Sequence, residues 1–153
     1  MNYIAFDLGT KCGVATLCNG VRGEELWNFS KSGRFSPSAF SEFAELVENL
    51  IVDLRQQNRN VTVFIEKPHA GQYFHAVKIL FGLMGVLEMV CHRFKVPYIY
   101  YSPATIKRMW TGSGRATKAE MLKQTQKNGF DVKDHNVADA IALLHYGIQQ
   151  ETK

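Results

Sequence analysis

The first thirty residues alternate between apolar runs and short polar breaks. Residues 4–15 contain two apolar runs joined by a turn through Gly9 and Thr10, and a further apolar stretch follows at residues 21–29. Short apolar runs separated by glycine turns are typical of hairpins. The pattern therefore predicts a hairpin followed by a third antiparallel strand.

The remainder of the chain alternates between strand and helix patterns. Residues 61–65 and 96–101 are short apolar runs typical of strands, and the first ends in Glu66. Five segments have helical spacing or helix-start signals. They are residues 36–55, residues 76–94, a short basic segment at 104–110, the segment after the Thr117–Glu120 capping box, and a last helix from about residue 134. We expect one α/β domain spanning residues 1–153.

Three carboxylates lie where an apolar residue would be expected. Asp7 is within the first strand, Glu66 ends a buried strand, and Asp139 lies among the packing residues of the last helix. A buried charge is costly unless a cation or hydrogen bonds meet it. Simpler interpretations are that Asp7 caps a turn and that Glu66 pairs with Lys67 at the surface.

Composition indicates a globular protein with a mild basic excess. The 153 residues include 18 Lys and Arg against 14 Asp and Glu, giving a net charge of +4. Such an excess favours a polyanionic partner.

The three cysteines form no CxxC pair, so we expect reduced packing residues. No secretion signal and no unbroken apolar run long enough to cross a bilayer is found, so we expect a cytoplasmic protein without a membrane partner.

Basic, glycine-rich and aromatic segments suggest contacts with nucleic acid. Lys118 lies in the first turn of a helix, where a cation opposes the helix dipole, so contact with phosphate would explain it; an ordinary solvated lysine is the alternative. Tyr73 and Phe74 lie in a predicted loop at residues 69–75. They are suited to stacking on an unpaired base or to docking on the domain.

The acidic residues together predict metal-dependent phosphodiester chemistry. If Asp7, Glu66 and Asp139 face one another, divalent cations must offset their repulsion. All-oxygen ligation suits Mg²⁺, with Mn²⁺ as a substitute, and two ions at one site activate water for phosphodiester hydrolysis. With the basic segments, this points to a nuclease that needs no nucleotide cofactor.

The segment at residues 76–94 is apolar around most of its circumference. Such a helix needs cover on two sides, and in a small chain a second copy is a plausible cover. We therefore expect a homodimer formed through this helix. The residues expected at that interface are Leu80, Gly82, Met84 and Leu87.

The order of these motifs resembles the RuvC family of Holliday junction resolvases. Its most specific parts are residues 102–118, which include Pro-Ala-Thr-Ile-Lys-Arg and Thr-Gly-Ser-Gly-Arg-Ala-Thr-Lys, and residues 137–144, which include Ala-Asp-Ala-Ile-Ala. The resemblance implies an RNase H-like fold, with a mixed five-stranded sheet of three antiparallel N-terminal strands plus two parallel strands, flanked by helices. It further implies a homodimer that makes paired, Mg²⁺-dependent nicks in four-way DNA junctions during recombination or repair.

The resemblance also assigns residues. It implies Asp7, Glu66 and Asp139 as metal ligands and Lys107 and Lys118 as DNA contacts, with Tyr73 or Phe74 at the junction centre. Arg108 and Arg115 are further DNA-binding candidates in the basic segments.

The chain departs from the family at one position. Family members commonly have a fourth ligand, Asp or His, one turn before the last acid, and here that residue is Asn136. Asn136 offers a carbonyl oxygen but neither charge nor a base. His135 is the alternative that we favour slightly for catalysis, while Asp134 is more simply an N-cap.

Three other interpretations compete with a resolvase. The Asp-Leu-Gly-Thr-Lys-x-Gly-Val-Ala start also resembles YqgF-type RNase H-like proteins that act on RNA. The same start resembles the phosphate loop of actin-like ATPases, but these need two large lobes that 153 residues cannot supply. Finally, a dimer lacking one acid would bind branched DNA with weak or no cleavage.

Overall fold

Five strands form one mixed sheet in a computed structural model that describes residues 1–57, 60–69, 71 and 73–153. The strands are β1 (Asn2–Asp7), β2 (Lys11–Cys18), β3 (Val21–Asn28), β4 (Val61–Glu66) and β5 (Tyr98–Tyr101). Their order is β3-β2-β1-β4-β5. The pairs β1–β2 and β2–β3 are antiparallel, whereas β1–β4 and β4–β5 are parallel. The predicted mixed five-stranded sheet, with three antiparallel N-terminal strands and two parallel strands, is confirmed.

Five helices flank the sheet among the described residues. They are α1 (Ser38–Gln57), α2 (Phe74–Phe94), α3 (Pro103–Thr111), α4 (Lys118–Lys127) and α5 (His135–Glu151). The expected loop at residues 69–75 lies partly outside the described residues. Within that loop the prediction is wrong for Phe74 and His75, which are the first two residues of α2, with Tyr73 as its N-cap.

Side-chain caps fix the starts of α4 and α5 as expected. Thr117 Oγ1 accepts a hydrogen bond from the Glu120 amide at 3.2 Å, and Glu120 Oε2 accepts one from the Thr117 amide at 2.7 Å. Asp134 Oδ1 accepts from the Asn136 amide at 2.8 Å. The predicted capping box and the predicted N-cap are therefore confirmed.

The sheet divides the core into two layers, because side chains alternate between its faces. Ile4 and Phe6 of β1 pack with α1 and α2, whereas Tyr3 and Ala5 pack with α3, α4 and α5. In β4, Phe64 belongs to the second layer. The two-residue period therefore directs the next residues of these series, at the strand ends, toward α5.

A glycine allows α5 to approach the sheet closely. A Cβ atom at Gly13 of β2 would collide with the backbone carbonyl of Asn136 at the start of α5. Only glycine fits this contact without displacement of the helix or strand. Gly13 thus sets how near the first turn of α5 lies to the end of β1.

The helix α2 has one buried and one exposed apolar face. Ile79, Leu83, Leu87, Val90 and Cys91 are buried in the core beside α1 and the sheet. By length and composition alone, α2 could cross a membrane, a test that the core helices of soluble proteins also pass. Its apolar sequence is interrupted by Lys78 and Glu88, so it contains no unbroken apolar run of that length.

Two residues predicted at a dimer interface belong to the interior of the chain itself. Leu87 is fully buried, and a Cβ atom at Gly82 would collide with the Phe40 ring of α1. Leu80 and Met84 are half-buried. The prediction is wrong for Leu87 and Gly82, because a helix that is apolar on all sides does not reveal which face packs internally.

Candidate metal and nucleic-acid site

The parallel pair β1–β4 places two carboxylates side by side. Its register pairs Phe6 with Ile65, so the following residues, Asp7 and Glu66, lie next to each other at the carboxyl ends of the strands. Both continue the side-chain series that faces α5. On α5, Asp139 lies between the fully buried Ala138 and Ala140. Functional groups gather at such strand ends in α/β sheets.

These three carboxylates line one groove of about 470 Å³. We call it the acidic groove and define it by Asp7, Glu66 and Asp139 together with the other described residues that line it. These are residues 8–11, His69, Pro103, Lys107, Lys118 and Asn136. The three acids therefore share one groove, as expected from the sequence, while their role as metal ligands stays a prediction.

His69, Lys11 and Thr10 also line this groove and were not predicted from the sequence. Thr10 belongs to the turn that follows Asp7, Lys11 is the first residue of β2, and His69 lies three residues beyond Glu66. Their positions close in sequence to Asp7 and Glu66 could have indicated that they line the groove. Their side-chain types alone gave no such indication.

Burial and mutual repulsion raise the pKa values of the acids. Burial raises the pKa of Asp7 well above its ordinary value, and the charges of Glu66 and Asp139 raise it further, while Lys118 opposes the shift. Burial, followed by repulsion from Asp139, raises the pKa of Glu66 to about 7. Burial also raises the pKa of Asp139, against the lowering effect of Lys107 and Lys118. The groove therefore favours added positive charge.

One buried carboxylate oxygen has no hydrogen-bond partner among the described residues. Asp139 Oδ1 is buried and accepts no hydrogen bond from the described residues. A buried unpaired oxygen is costly, and a cation would satisfy it. The donor types present, carboxylates and the Asn136 amide, suit Mg²⁺ or Mn²⁺. As placed, however, no three His, Cys, Asp or Glu side chains of the described segments are close enough together to hold one ion.

Asn136, and not His135, lines the acidic groove together with the three acids. Among the described residues that line the groove, Asn136 is present and His135 is not. His135 is close enough to lower the pKa of Asp139. Asp134 is committed to capping α5 through its bond to the Asn136 amide. The structure thus gives His135 an electrostatic influence on Asp139 without a place in the groove lining.

The basic and aromatic candidates divide into groove and surface positions. Lys107 and Lys118 line the acidic groove, whereas Arg108 and Arg115 are exposed outside it. Tyr73 and Phe74 are 79% and 82% exposed at the start of α2. They cover no part of the core, which leaves both rings available for stacking.

Comparison with known proteins gives relatives of one kind. The crossover junction endodeoxyribonuclease RuvC of Cutibacterium acnes is 25% identical over 139 residues, covering 88% of this chain and 70% of the relative. RuvC of Prochlorococcus marinus is 36% identical over 70 residues, covering 44% of this chain and 45% of the relative. RuvC of an Anaeromyxobacter species is 28% identical over 116 residues, covering 73% and 56%. No family model matches the chain.

Solved structures give the same fold. Thermus thermophilus RuvC in complex with a Holliday junction substrate superposes with a TM-score of 0.73 at 16% identity, covering 99% of this chain and 97% of that one. This chain resembles RuvC in both sequence and fold. The yeast mitochondrial Holliday junction resolvase superposes with a TM-score of 0.61 at 12% identity, over 98% and 80% of the two chains. The RuvC resemblance predicted from the motifs is thereby confirmed, while at these identities the superpositions establish the fold alone.

Proposed function

We propose that this protein is a divalent-metal-dependent endonuclease that resolves four-way DNA junctions in recombination or repair. The observation that carries the proposal is the acidic groove, in which Asp7, Glu66 and Asp139 meet two lysines. The RuvC names of the relatives support the substrate. Their bacterial sources support a cytoplasmic location.

In this proposal the residues of the acidic groove have different roles in phosphodiester hydrolysis. Asp7, Glu66 and Asp139 would hold two Mg²⁺ or Mn²⁺ ions, which supply charge stabilisation and an activated water when bound. Lys118 lowers the pKa of all three acids and Lys107 that of two, so both ammonium groups lie near the position of a bound phosphate. Asn136 contributes an oxygen without charge, so we expect a weaker hold on metal than a fourth acid would give.

Asp7 provides the direct test of this chemistry. Asp7→Asn keeps the side-chain shape but removes one charge from the acidic groove. We expect loss of junction cleavage with junction binding largely retained, measured on the same preparation by gel cleavage and by fluorescence anisotropy. Joint loss of binding and cleavage, with the fold intact by circular dichroism, would assign Asp7 a structural role instead.

Lys118 tests the contact with phosphate. Lys118→Ala should weaken junction binding and reduce the slope of log affinity against log salt by about one, because one phosphate contact is lost. Lys127→Ala, at the last residue of α4 and outside the acidic groove, is the matched control for loss of one lysine. An unchanged slope for Lys118→Ala would remove this residue from the interface.

The homodimer forms, in this proposal, through the exposed face of α2. Phe81 and Met89 are 43% and 48% exposed, and the exposed Gly85 lies between them on the same face. Glu88 beside this stripe accepts a hydrogen bond from Tyr100 of β5 at 2.7 Å, which fixes the adjoining strand. Met89→Glu should convert dimer to monomer in analytical ultracentrifugation. An unchanged mass would place the interface elsewhere.

A junction-binding dimer without efficient cleavage is the second candidate. The uncharged Asn136 in the groove favours it, because one acid fewer weakens a two-metal site. Binding without nicks in either Mg²⁺ or Mn²⁺ would support this candidate. An RNase H-like nuclease acting on RNA remains the other enzyme hypothesis, and cleavage of structured RNA but not of junctions would support it.

A further inference from the structure

A second cavity of about 760 Å³ adjoins the acidic groove. The two share one wall, formed by Leu8, Gly9 and Thr10 in the turn after β1. The remaining lining includes Phe35 and the first turns of α2. We call this cavity the side groove. Lys107 and Lys118 line the acidic groove and not the side groove.

The walls of the side groove are held in place by packing and backbone hydrogen bonds. The Phe35 ring packs edge-on against Phe40 with centroids 5.0 Å apart. Phe40 in turn occupies the space that Gly82 leaves on α2. The Phe29 amide donates to the Thr10 carbonyl at 2.8 Å, which ties the shared wall to the end of β3. The cavity is therefore largely formed before any ligand binds.

The lining of the side groove suits a flat, partly apolar ligand with hydrogen-bonding edges. Leu8, Phe35, Ile79 and Leu80 supply apolar surface, while Ser30, Arg34 and His75 supply polar groups. The volume lies within the usual range of about 300–1,000 Å³ for small-ligand sites. A nucleobase has this combination of an apolar face and polar edges.

The wall shared with the acidic groove indicates which nucleotide would supply the base. A phosphate bound among the three acids and two lysines lies one shared wall away from the side groove. The base of an adjacent nucleotide on the same strand is thus the nearest ligand, and the cationic Arg34 at the cavity favours a polyanion over an apolar peptide. Extruding a base costs least where stacking and pairing are already disrupted, as at a branch point.

We propose that the side groove binds an unstacked nucleobase next to the scissile phosphate and sets the sequence preference of cleavage. This rests on the proposed function, since it requires a DNA strand in the acidic groove. Phe35 is the stacking surface, and the polar groups contact the edge of the base. Leu80, expected from the sequence at a dimer interface, is then a wall of this site.

The test uses a junction library randomised at the nucleotides around the branch point. The wild-type protein should cut some sequences at least tenfold faster than others, and Phe35→Leu, which keeps apolar bulk without a ring, should flatten that preference about tenfold. Phe35→Tyr should retain it. Val52→Ala, at an exposed apolar residue of α1 that lines neither groove, is the control expected to behave as wild type.

A second measurement does not depend on cleavage or on the stability of the Phe35 variant. A 2-aminopurine placed beside the scissile phosphate should change fluorescence when the junction binds to Asp7→Asn protein. Leu80→Ala in the same background should reduce that change. Normal binding with no fluorescence change at any branch-point position would overturn the proposal, as would sequence preference that survives Phe35→Leu.

Three further outcomes are distinguishable. If the Phe35 and Leu80 variants change the oligomeric state but not sequence preference, the side groove is covered by protein and the base-binding proposal is overturned. If wild-type protein neither binds nor cuts junctions, the proposed function itself fails, and the side-groove proposal fails with it. Cleavage with unaltered preference in both variants overturns the side-groove proposal alone.

Discussion

Glu66→Gln should stabilise the metal-free protein at alkaline pH. Burial and repulsion from Asp139 raise the folded-state pKa of Glu66 from an ordinary 4.5 to about 7. The proton is therefore bound more tightly in the folded state than in the unfolded one. The resulting stabilisation is fully present below pH 4.5 and is lost as the pH rises through 7.

The size of the effect follows from that difference. At about 1.4 kcal/mol for each tenfold change in an equilibrium, a carboxyl whose pKa rises from 4.5 to about 7 costs about 3 kcal/mol of unfolding free energy between pH 4 and pH 8. This is a large share of the roughly 5–15 kcal/mol that stabilises a typical domain. Glu66 also raises the pKa of Asp7, so its removal relieves a second acid.

Urea unfolding in EDTA at several pH values measures this contribution. The difference in unfolding free energy between Glu66→Gln and wild type should grow by about 3 kcal/mol in favour of the variant from pH 4 to pH 8. Glu45→Gln, which removes an exposed carboxylate from α1, is the matched control. Added Mg²⁺ should stabilise wild type more than Glu66→Gln. A pH-independent difference would refute the reasoning, since it would mean that Glu66 is not confined with the other acids.

Three further substitutions probe the frame of the site. Gly13→Ala should cost about 1–3 kcal/mol of unfolding free energy and lower cleavage, because the new methyl group displaces the first turn of α5; unchanged thermal unfolding would contradict the close contact. Asn136→Asp should raise Mg²⁺ affinity by about tenfold in calorimetry through an added charged ligand, and an unchanged affinity would place this side chain outside the metal site. Thr117→Ala should cost about 1 kcal/mol by removing the α4 cap, and equal stability would show the capping box to be unimportant.

The elements and the acids were predictable because each has a local signal. Asp7, Glu66 and Asp139 each interrupt an apolar pattern, and three such interruptions together favour a site that needs charge. The capping box at Thr117 was equally local. Sheet order followed from the hairpin at the start of the chain and from the family resemblance.

The features that the sequence did not predict depend on which face of a helix packs against its neighbours and on contacts between distant segments. Gly82 faces Phe40 and Leu87 faces the core, because the packing of α2 on α1 and the sheet selects one of several apolar faces. The close contact at Gly13 and the side groove beside Phe35 arise between segments distant in sequence. No spacing within one segment carries that information.

Cleavage of a synthetic four-way DNA junction with strand mapping tests the central claim most directly. In Mg²⁺ or Mn²⁺, wild-type protein should nick two strands of like polarity at symmetric positions, which requires both the acidic groove and two copies of the chain. The Asp7→Asn variant should leave the junction intact. Cleavage of structured RNA alone, or nicks that persist in Asp7→Asn, would contradict the account.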